Sequence, residues 1–90
     1  MSTDDLTEDA LLSGRVRVAQ PRKGQRASAD AVMLAAAVPA QPGMRALDLG
    51  CGTGVGMLCL AARVPDIAVD GIEIQEDLVA LCTRNIAANN

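Results

Sequence analysis

The chain has 90 residues, of which 50% are apolar and none is aromatic, and its formal net charge at pH 7 is −3. A chain this short forms one small domain, because it buries only ~60% of the surface that it exposes when unfolded. The longest run of small or apolar residues, Ala31 to Ala40, is too short to span a bilayer, and the acidic N-terminus is unlike a signal peptide. We therefore expect one domain without a membrane segment.

Cysteine usage indicates a reducing compartment. The three cysteines, Cys51, Cys59 and Cys82, lack Cys-x-x-Cys spacing, and the chain contains no histidine. A structural zinc site would therefore have almost no ligands. We expect free thiols, a cytoplasmic location and no bound metal.

Charge is distributed unevenly along the chain. Residues 4–9 contain four acids, whereas a later segment holds five of the eight basic residues. These five are Arg15, Arg17, Arg22, Lys23 and Arg26. We expect any contact with RNA phosphates to lie there, and a solvated basic surface is the alternative.

The N-terminal third predicts a short hairpin. Residues 1–13 are polar and acidic and predict a loose arm or a short helix. Residues 15–18 alternate with period two, as a half-buried strand does. The turn-forming residues at 20–24 then predict a hairpin with a basic face.

A helix follows the hairpin. Ser28 or Asp30 can cap a helix over Ala31 to Val38, and Pro39 ends it because the residue before a proline disfavours helical geometry. From Met44 the pattern alternates between strand and helix, which predicts a βαβ unit and one more helix. The expected spans are residues 45–49 (strand), 50–54 (glycine loop), 55–63 (helix), 67–74 (strand) and 76–88 (helix), with Asn89-Asn90 as a left-handed stop.

The glycine loop, Asp48 to Gly54, lies where a strand meets a helix. Glycines let a ligand approach bare backbone at the helix N-terminus. Neither register of the loop fits Gly-x-Gly-x-x-Gly, and no Gly-Lys-Ser/Thr follows. The spacing therefore disfavours a dinucleotide fingerprint and a P-loop, and a purely structural turn remains an alternative.

An acidic residue, Glu73, follows the glycine loop in the chain. Glu73 lies about 20 residues beyond it, the usual reach to ribose hydroxyls in nucleotide-binding βαβ units. A carboxylate accepts two hydrogen bonds from a diol, which suits this role. Asp70 is the second candidate, and a solvated acid at the strand end is the alternative.

Asp48 to Gly54 followed by Gly71-Ile72-Glu73 resembles motif I and the ribose-binding acid of class I S-adenosylmethionine-dependent methyltransferases. The resemblance implies the N-terminal part of a Rossmann-like α/β fold, with a hairpin and helix before β-α-β-α, and S-adenosyl-L-methionine as cofactor. It also implies the cofactor-binding residues, which are Asp48, Gly50, Cys51, Gly52 and Gly54 in the loop, Glu73 on the ribose and Ile74 beside the adenine.

Residues 14–38 are similar to the segment that leads into the cofactor site of bacterial valine-tRNA adenine N(6)-methyltransferases. The similarity rests on Arg15 to Arg26 and on Ser28-Ala29-Asp30-Ala31. It implies that Ser28 and Asp30 line the cofactor site, with helix capping as an equal alternative. It also implies tRNA as the partner and adenine N6 as the methylated position. The expected organisation is a lead-in over residues 1–43 and the first half of the cofactor-binding domain over residues 44–90.

The chain departs from that family at one motif. It contains no Asn-Pro-Pro-Tyr/Phe, the residues that hold the target amine and stack the base, so we assign no catalytic residue. Methyl transfer depends mainly on aligning the amine with the methyl group, and the absence should remove most of the rate. We expect a fragment, a truncated product, or a chain whose exposed sheet is covered by self-association or by a partner.

Two other functions remain open. One is a non-catalytic cofactor- or RNA-binding module, whose RNA binding would weaken steeply with salt. The other is half of a nicotinamide-dependent dehydrogenase, which the glycine spacing disfavours.

Overall fold

The computed structural model describes residues 5–24, 26 and 29–89. Four strands and three helices lie in this part of the chain. In chain order they are β1 Leu6–Leu11, β2 Val16–Pro21, α1 Ala29–Ala37, β3 Arg45–Leu49, α2 Val55–Arg63, β4 Ala68–Ile72 and α3 Glu76–Ala88. The expected α/β class, with a hairpin and a helix before β-α-β-α, is confirmed. Within the described residues, no helix combines the length and apolar character needed to cross a membrane.

A hairpin forms, but β2 pairs with the segment that precedes it and not with one that follows it. β1 pairs antiparallel with β2, from Leu6 opposite Pro21 to Leu11 opposite Val16. The expectation of a loose arm or short helix was therefore wrong over Leu6–Leu11, and residues 1–4 lie outside the described part of the chain. The expected hairpin turn at 20–24 was also wrong, because β2 continues to Pro21 and residues 22–24 form a bend that does not join the two strands. The chain reverses at residues 12–15, where Leu12 and Ser13 have φ of 52° and 56°. Gly14, with φ of 86°, suits such a turn, but the positive φ of Leu12 is rare for a leucine and is not indicated by its residue type.

Helix α1 begins earlier than expected. It runs over Ala29–Ala37, so Asp30 lies in its first turn and is not the residue before it. A carboxylate there is favourable because the N-terminal end of a helix carries partial positive charge. Ser28, the other candidate cap, lies outside the described residues. At the other end of α1, the Arg63 guanidinium donates to the carbonyl oxygens of Ala35 and Val38.

The second sheet is a parallel pair joined through α2. β3 pairs with β4 from Arg45 opposite Ala68 to Leu49 opposite Ile72. β4 is shorter than the expected strand over residues 67–74. One face of this sheet packs on α2, and the other exposes Leu47, Leu49 and Ile72. The division of the chain at residue 43 stays a prediction.

The core surrounds β2. Val16 and Val18 pack with residues of α1 and α2, while Ala19 packs with Leu78 and Leu81 of α3. β2 is therefore buried on both sides although it belongs to a two-stranded sheet. Helices α2 and α3 both pack against this strand.

Helix α3 covers the free edge of β2 with two asparagine amides. Asn85, only 1% exposed, accepts from Ala19 N at 2.8 Å and donates to Ala19 O at 3.1 Å. One turn later Asn89 accepts from Arg17 N and donates to Arg17 O. Residues one helical turn apart match the spacing of alternate strand residues, about 6 Å in each case. The amides thus occupy backbone groups that an edge strand leaves unpaired.

The expected left-handed stop of the last helix is not found at Asn89. Its φ of −109° and ψ of 8° are not left-handed, and Asn90 lies outside the described residues. The contact with β2, and not backbone conformation, explains an asparagine at this position.

We predict that Asn85→Ala lowers the free energy of unfolding by about 2–4 kcal/mol, because buried backbone groups of β2 and the glycine loop lose their partners. Asn89→Ala is the matched control and should cost below about 1 kcal/mol, because water can replace its exposed contacts. Urea denaturation, monitored by circular dichroism, measures the free energy of unfolding of both variants. Equal losses for the two variants would contradict a special role for the buried amide.

Candidate functional site

The glycine loop lies at the carboxyl end of β3 and is anchored by β4. The amides of Gly50 and Cys51 both donate to Ile72 O, at 2.7 and 3.0 Å. Gly54, with φ of 95°, is the residue before α2 and has no side chain to cap it. The loop is therefore a tight backbone structure that opens directly onto the N-terminus of a helix.

Two of the loop glycines face open space. A Cβ built on Gly50 or Gly52 would meet no heavy atom within 4 Å. A cavity of about 230 Å³ lies against this backbone, between the loop, the start of α2 and residues of α1. A ligand could approach the bare backbone here, as the sequence predicts.

Glu73 is brought to the loop. Its Oε1 accepts from the Gly52 amide at 2.9 Å and its Oε2 accepts from the Gln75 amide at 3.0 Å. The hydrogen bond from Gln75, followed by that from Gly52, lowers the pKa of this carboxyl. An ionised carboxylate has about four acceptor positions, so both oxygens keep capacity for a ligand's hydroxyls.

Asp70, the second candidate, lies elsewhere. It points from the open face of the sheet, where it forms an exposed ion pair with Arg45 at 3.1 Å. The structure thus brings Glu73 and not Asp70 to the loop. Ile74, which follows Glu73, is 91% exposed and offers an apolar surface beside the site.

Asp48 lines the loop cavity. Its side chain is half-buried at the end of β3, and burial raises the pKa of its carboxyl. It lines the loop cavity and also a neighbouring cavity of about 350 Å³. The second cavity is largely apolar, with Leu34, Leu47 and Leu49 among its walls.

Gly71 is a site residue for which sequence analysis assigned no packing role. A Cβ at this position would lie 2.5 Å from Met57 Sδ and 2.7 Å from Cys51 Sγ. A larger residue here would require Met57 and Cys51 to shift, and the glycine avoids this. The signal was available in the Gly71-Ile72-Glu73 motif, but its physical reason depends on residues distant in the chain.

The loop cysteine, Cys51, is partly buried and its thiol has a raised pKa. Burial is the main cause that raises the pKa of Cys51 to about 11, and contact with Cys82 adds to it. The thiol is therefore protonated at neutral pH. All three cysteines are free, and no group of metal-ligating side chains occurs within the described part of the chain.

The basic residues do not form one patch. Arg15 donates to Ala62 O at the end of α2, whereas Arg22 and Lys23 lie at the opposite end of β2. A six-residue strand is about 20 Å long, so these groups are well separated. Arg17 is exposed between them. Arg26 differs from the other four, because it is the one of the five that lines the loop cavity, while its guanidinium is hydrogen-bonded to Thr7 and Pro21 of the hairpin.

A parallel βαβ unit with a bare glycine loop and a strand-end acid at one edge is the arrangement typical of nucleotide-binding α/β proteins. Residues 25–90 match the sequence model of the methyltransferase small domain. The chain belongs to this family, and the resemblance to S-adenosylmethionine-dependent methyltransferases is confirmed.

Curated relatives give the same family. The chain is 34% identical over 71 residues, 78% of its length, to a tRNA1(Val) (adenine(37)-N6)-methyltransferase of Yersinia enterocolitica. Proteins of the same name from Yersinia pestis and Yersinia pseudotuberculosis are 34% identical over 70 residues, 77% of the chain. The match covers 28% of the length of each of these relatives.

We predict opposite effects for two glycine-to-alanine changes. Gly71→Ala should lower the free energy of unfolding by about 1–3 kcal/mol, because the new methyl overpacks against Met57 and Cys51. Gly56→Ala, in α2, meets Asp48 Oδ2 only at 3.4 Å and should be neutral or stabilising by up to about 1 kcal/mol. Urea denaturation of both variants measures the difference. A Gly71→Ala variant as stable as the parent would show that β4 can shift without cost.

We predict that the loop loosens in acid. Because the pKa of Glu73 is lower in the folded chain, its contribution to stability is present above the unfolded value of about 4.3 and is lost as pH falls through the folded value. The amide resonances of Gly52 and Gln75 should shift in that range in an NMR titration. Glu73→Gln should abolish this titration and Asp70→Asn should preserve it. The same shift in the Glu73→Gln variant would assign it to another group.

Proposed function

We propose that this chain binds S-adenosyl-L-methionine and forms the cofactor-binding part of a methyltransferase that acts on adenine N6 in tRNA. The observation that carries the cofactor proposal is the hydrogen bond between Glu73 and the Gly52 amide. It joins a carboxylate to the open glycine backbone, so that one ligand can meet both. Family membership supports methyl transfer, and the names of the relatives support the acceptor.

The residues around the loop fit this cofactor. Open space at Gly50 and Gly52 admits a ligand against the backbone, and Glu73 has acceptors for two ribose hydroxyls. We assign the loop contacts to Asp48, Gly50, Cys51, Gly52 and Gly54, the ribose to Glu73 and the adenine to Ile74. Bound there, the cofactor would supply an activated methyl group on its sulfonium.

Asp30 and Ser28 remain proposed lining residues. Asp30 lies in the first turn of α1, the helix whose Ala31 and Leu34 line the loop cavity. This position supports a place for Asp30 at the rim. Ser28 lies outside the described residues.

The chain's proposed share of the reaction is to bind and orient the cofactor, and no described residue is assigned a catalytic role. Contacts to tRNA phosphates are proposed for Arg15, Arg17, Arg22, Lys23 and Arg26, in a cytoplasmic protein. The exposed Leu47, Leu49 and Ile72 support coverage of the open sheet face by further polypeptide.

We predict saturable binding of S-adenosylhomocysteine in calorimetry with the full chain. Glu73→Ala should weaken it about tenfold or more, because hydrogen bonds to a charged group are worth about 1.5–3 kcal/mol. Asp70→Ala, in the strand that precedes Glu73 but away from the loop, should bind like the parent.

NAD is the second control and should not bind. A chain that is folded by circular dichroism but binds no S-adenosylhomocysteine would overturn the cofactor proposal. Equal binding of NAD would favour the dehydrogenase alternative.

A further inference from the structure

Two of the three cysteines meet where α3 packs against the glycine loop. Cys51 lies in the loop, and Cys82 is a buried residue of α3. A Cβ built on Gly54 would lie 2.9 Å from Cys82 Sγ, so this sulfur is in close contact with the loop. The Gly54 amide donates to Cys51 O at 3.0 Å, which closes a turn at the same place. Cys82 therefore packs against the turn that carries Cys51.

The two thiols also contact each other. The side chains of Cys51 and Cys82 share a hydrogen bond. Cys59, the third cysteine, lies on α2 and belongs to the core cluster that contains Val16 and Val55. The fold thus brings together two thiols that are distant in the chain and places Cys59 in a different part of the core.

Cys51 is the member of this pair that a small reagent can reach. It is half-buried and lines the loop cavity of about 230 Å³, whereas Cys82 is buried. The reactive species is the thiolate. Burial is the main cause that raises the pKa of Cys51 to about 11, followed by Cys82 and then by the carboxylates of Asp48 and Glu73. Reaction at Cys51 is therefore slow at neutral pH and becomes faster as the pH rises.

We propose that Cys51 and Cys82 are a redox-sensitive pair, which a low-molecular-weight disulfide converts into an intramolecular disulfide. The Cys51 thiolate attacks one sulfur of the reagent, whose S–S bond breaks and releases one thiolate. The Cys82 thiolate then attacks Cys51 Sγ in the mixed disulfide and releases the second. The two protein thiols lose two electrons and two protons, and the reagent is reduced to two thiols.

The disulfide would join the glycine loop covalently to α3. It closes a loop over residues 51–82, and a cross-link across a segment of this length constrains the unfolded chain. A thiol reductant reverses the reaction, so the loop would have two states that depend on its redox surroundings. Disulfides of this transient kind occur in proteins of reducing compartments. The inference goes beyond the proposed function and does not depend on it, because the thiols react without a bound cofactor.

The experiment incubates the folded full chain with oxidised glutathione and counts free thiols with a chromogenic thiol reagent after denaturation. The count should fall from three to one in the parent chain. Dithiothreitol should restore all three thiols. The initial rate should rise about tenfold for each pH unit between about pH 7 and 9, because the thiolate fraction of Cys51 rises in this proportion.

The Cys59→Ala variant locates the bond. Trypsin separates residues 46–63 from residues 64–84, and in this variant each peptide contains one cysteine, Cys51 in the first and Cys82 in the second. Mass spectrometry without reduction should find these two peptides joined. A bond in the parent that is lost in Cys59→Ala would assign it to Cys59 and overturn the proposal.

Cys82→Ala is the matched control, because it removes the second thiol and leaves the glycine loop unchanged. It should stop at the mixed disulfide and retain one glutathione on Cys51, whereas the oxidised parent should retain none. Cys82→Ser gives the same test if the alanine variant does not fold. The proposal is overturned if the parent keeps three thiols at pH 9, if it retains glutathione on Cys51, or if it forms the bond only when urea unfolds it.

Discussion

The buried Asn85 amide is the contact on which the arrangement of this chain depends. It binds both backbone groups of Ala19 in β2 and donates to Thr53 O in the glycine loop at 2.9 Å. Hairpin, loop and α3 thus meet at one side chain that is fully hydrogen-bonded. A buried amide with all partners present specifies a unique packing, because any shift would leave polar groups unpaired. The position of the loop is therefore coupled to the hairpin.

The charged side chains at the site are hydrogen-bonded mainly to backbone groups and not to one another. Glu73 is oriented by the amides of Gly52 and Gln75, and Arg26 by Pro21 O together with Thr7. Such preorganisation reduces the ordering cost of binding, because the side chains are already held in one orientation. It also links the loop cavity to the hairpin, because Arg26 lines the cavity and is hydrogen-bonded to Thr7 and Pro21.

Much of the fold could be predicted from residue patterns. The strand over 45–49 and the helices over 55–63 and 76–88 have the predicted bounds, because glycine and proline mark their ends and apolar spacing marks their faces. β1 was missed because its acidic sequence has little β-propensity and gains its stability from pairing with β2. The turn at 12–15 was missed because Leu12 and Ser13 adopt positive φ against their usual preference.

The sequence by itself determined the glycine loop, its place between a strand and a helix, and the acid about 20 residues later, because these features depend on local spacing. Only the tertiary structure decided that Glu73 and not Asp70 meets the loop, since this depends on the register of β4 against β3. It also decided that Arg26 lines the cavity and that Asn85 contacts Ala19, which lies 66 positions away in the chain. Contacts between distant segments depend on packing, and no local pattern records them.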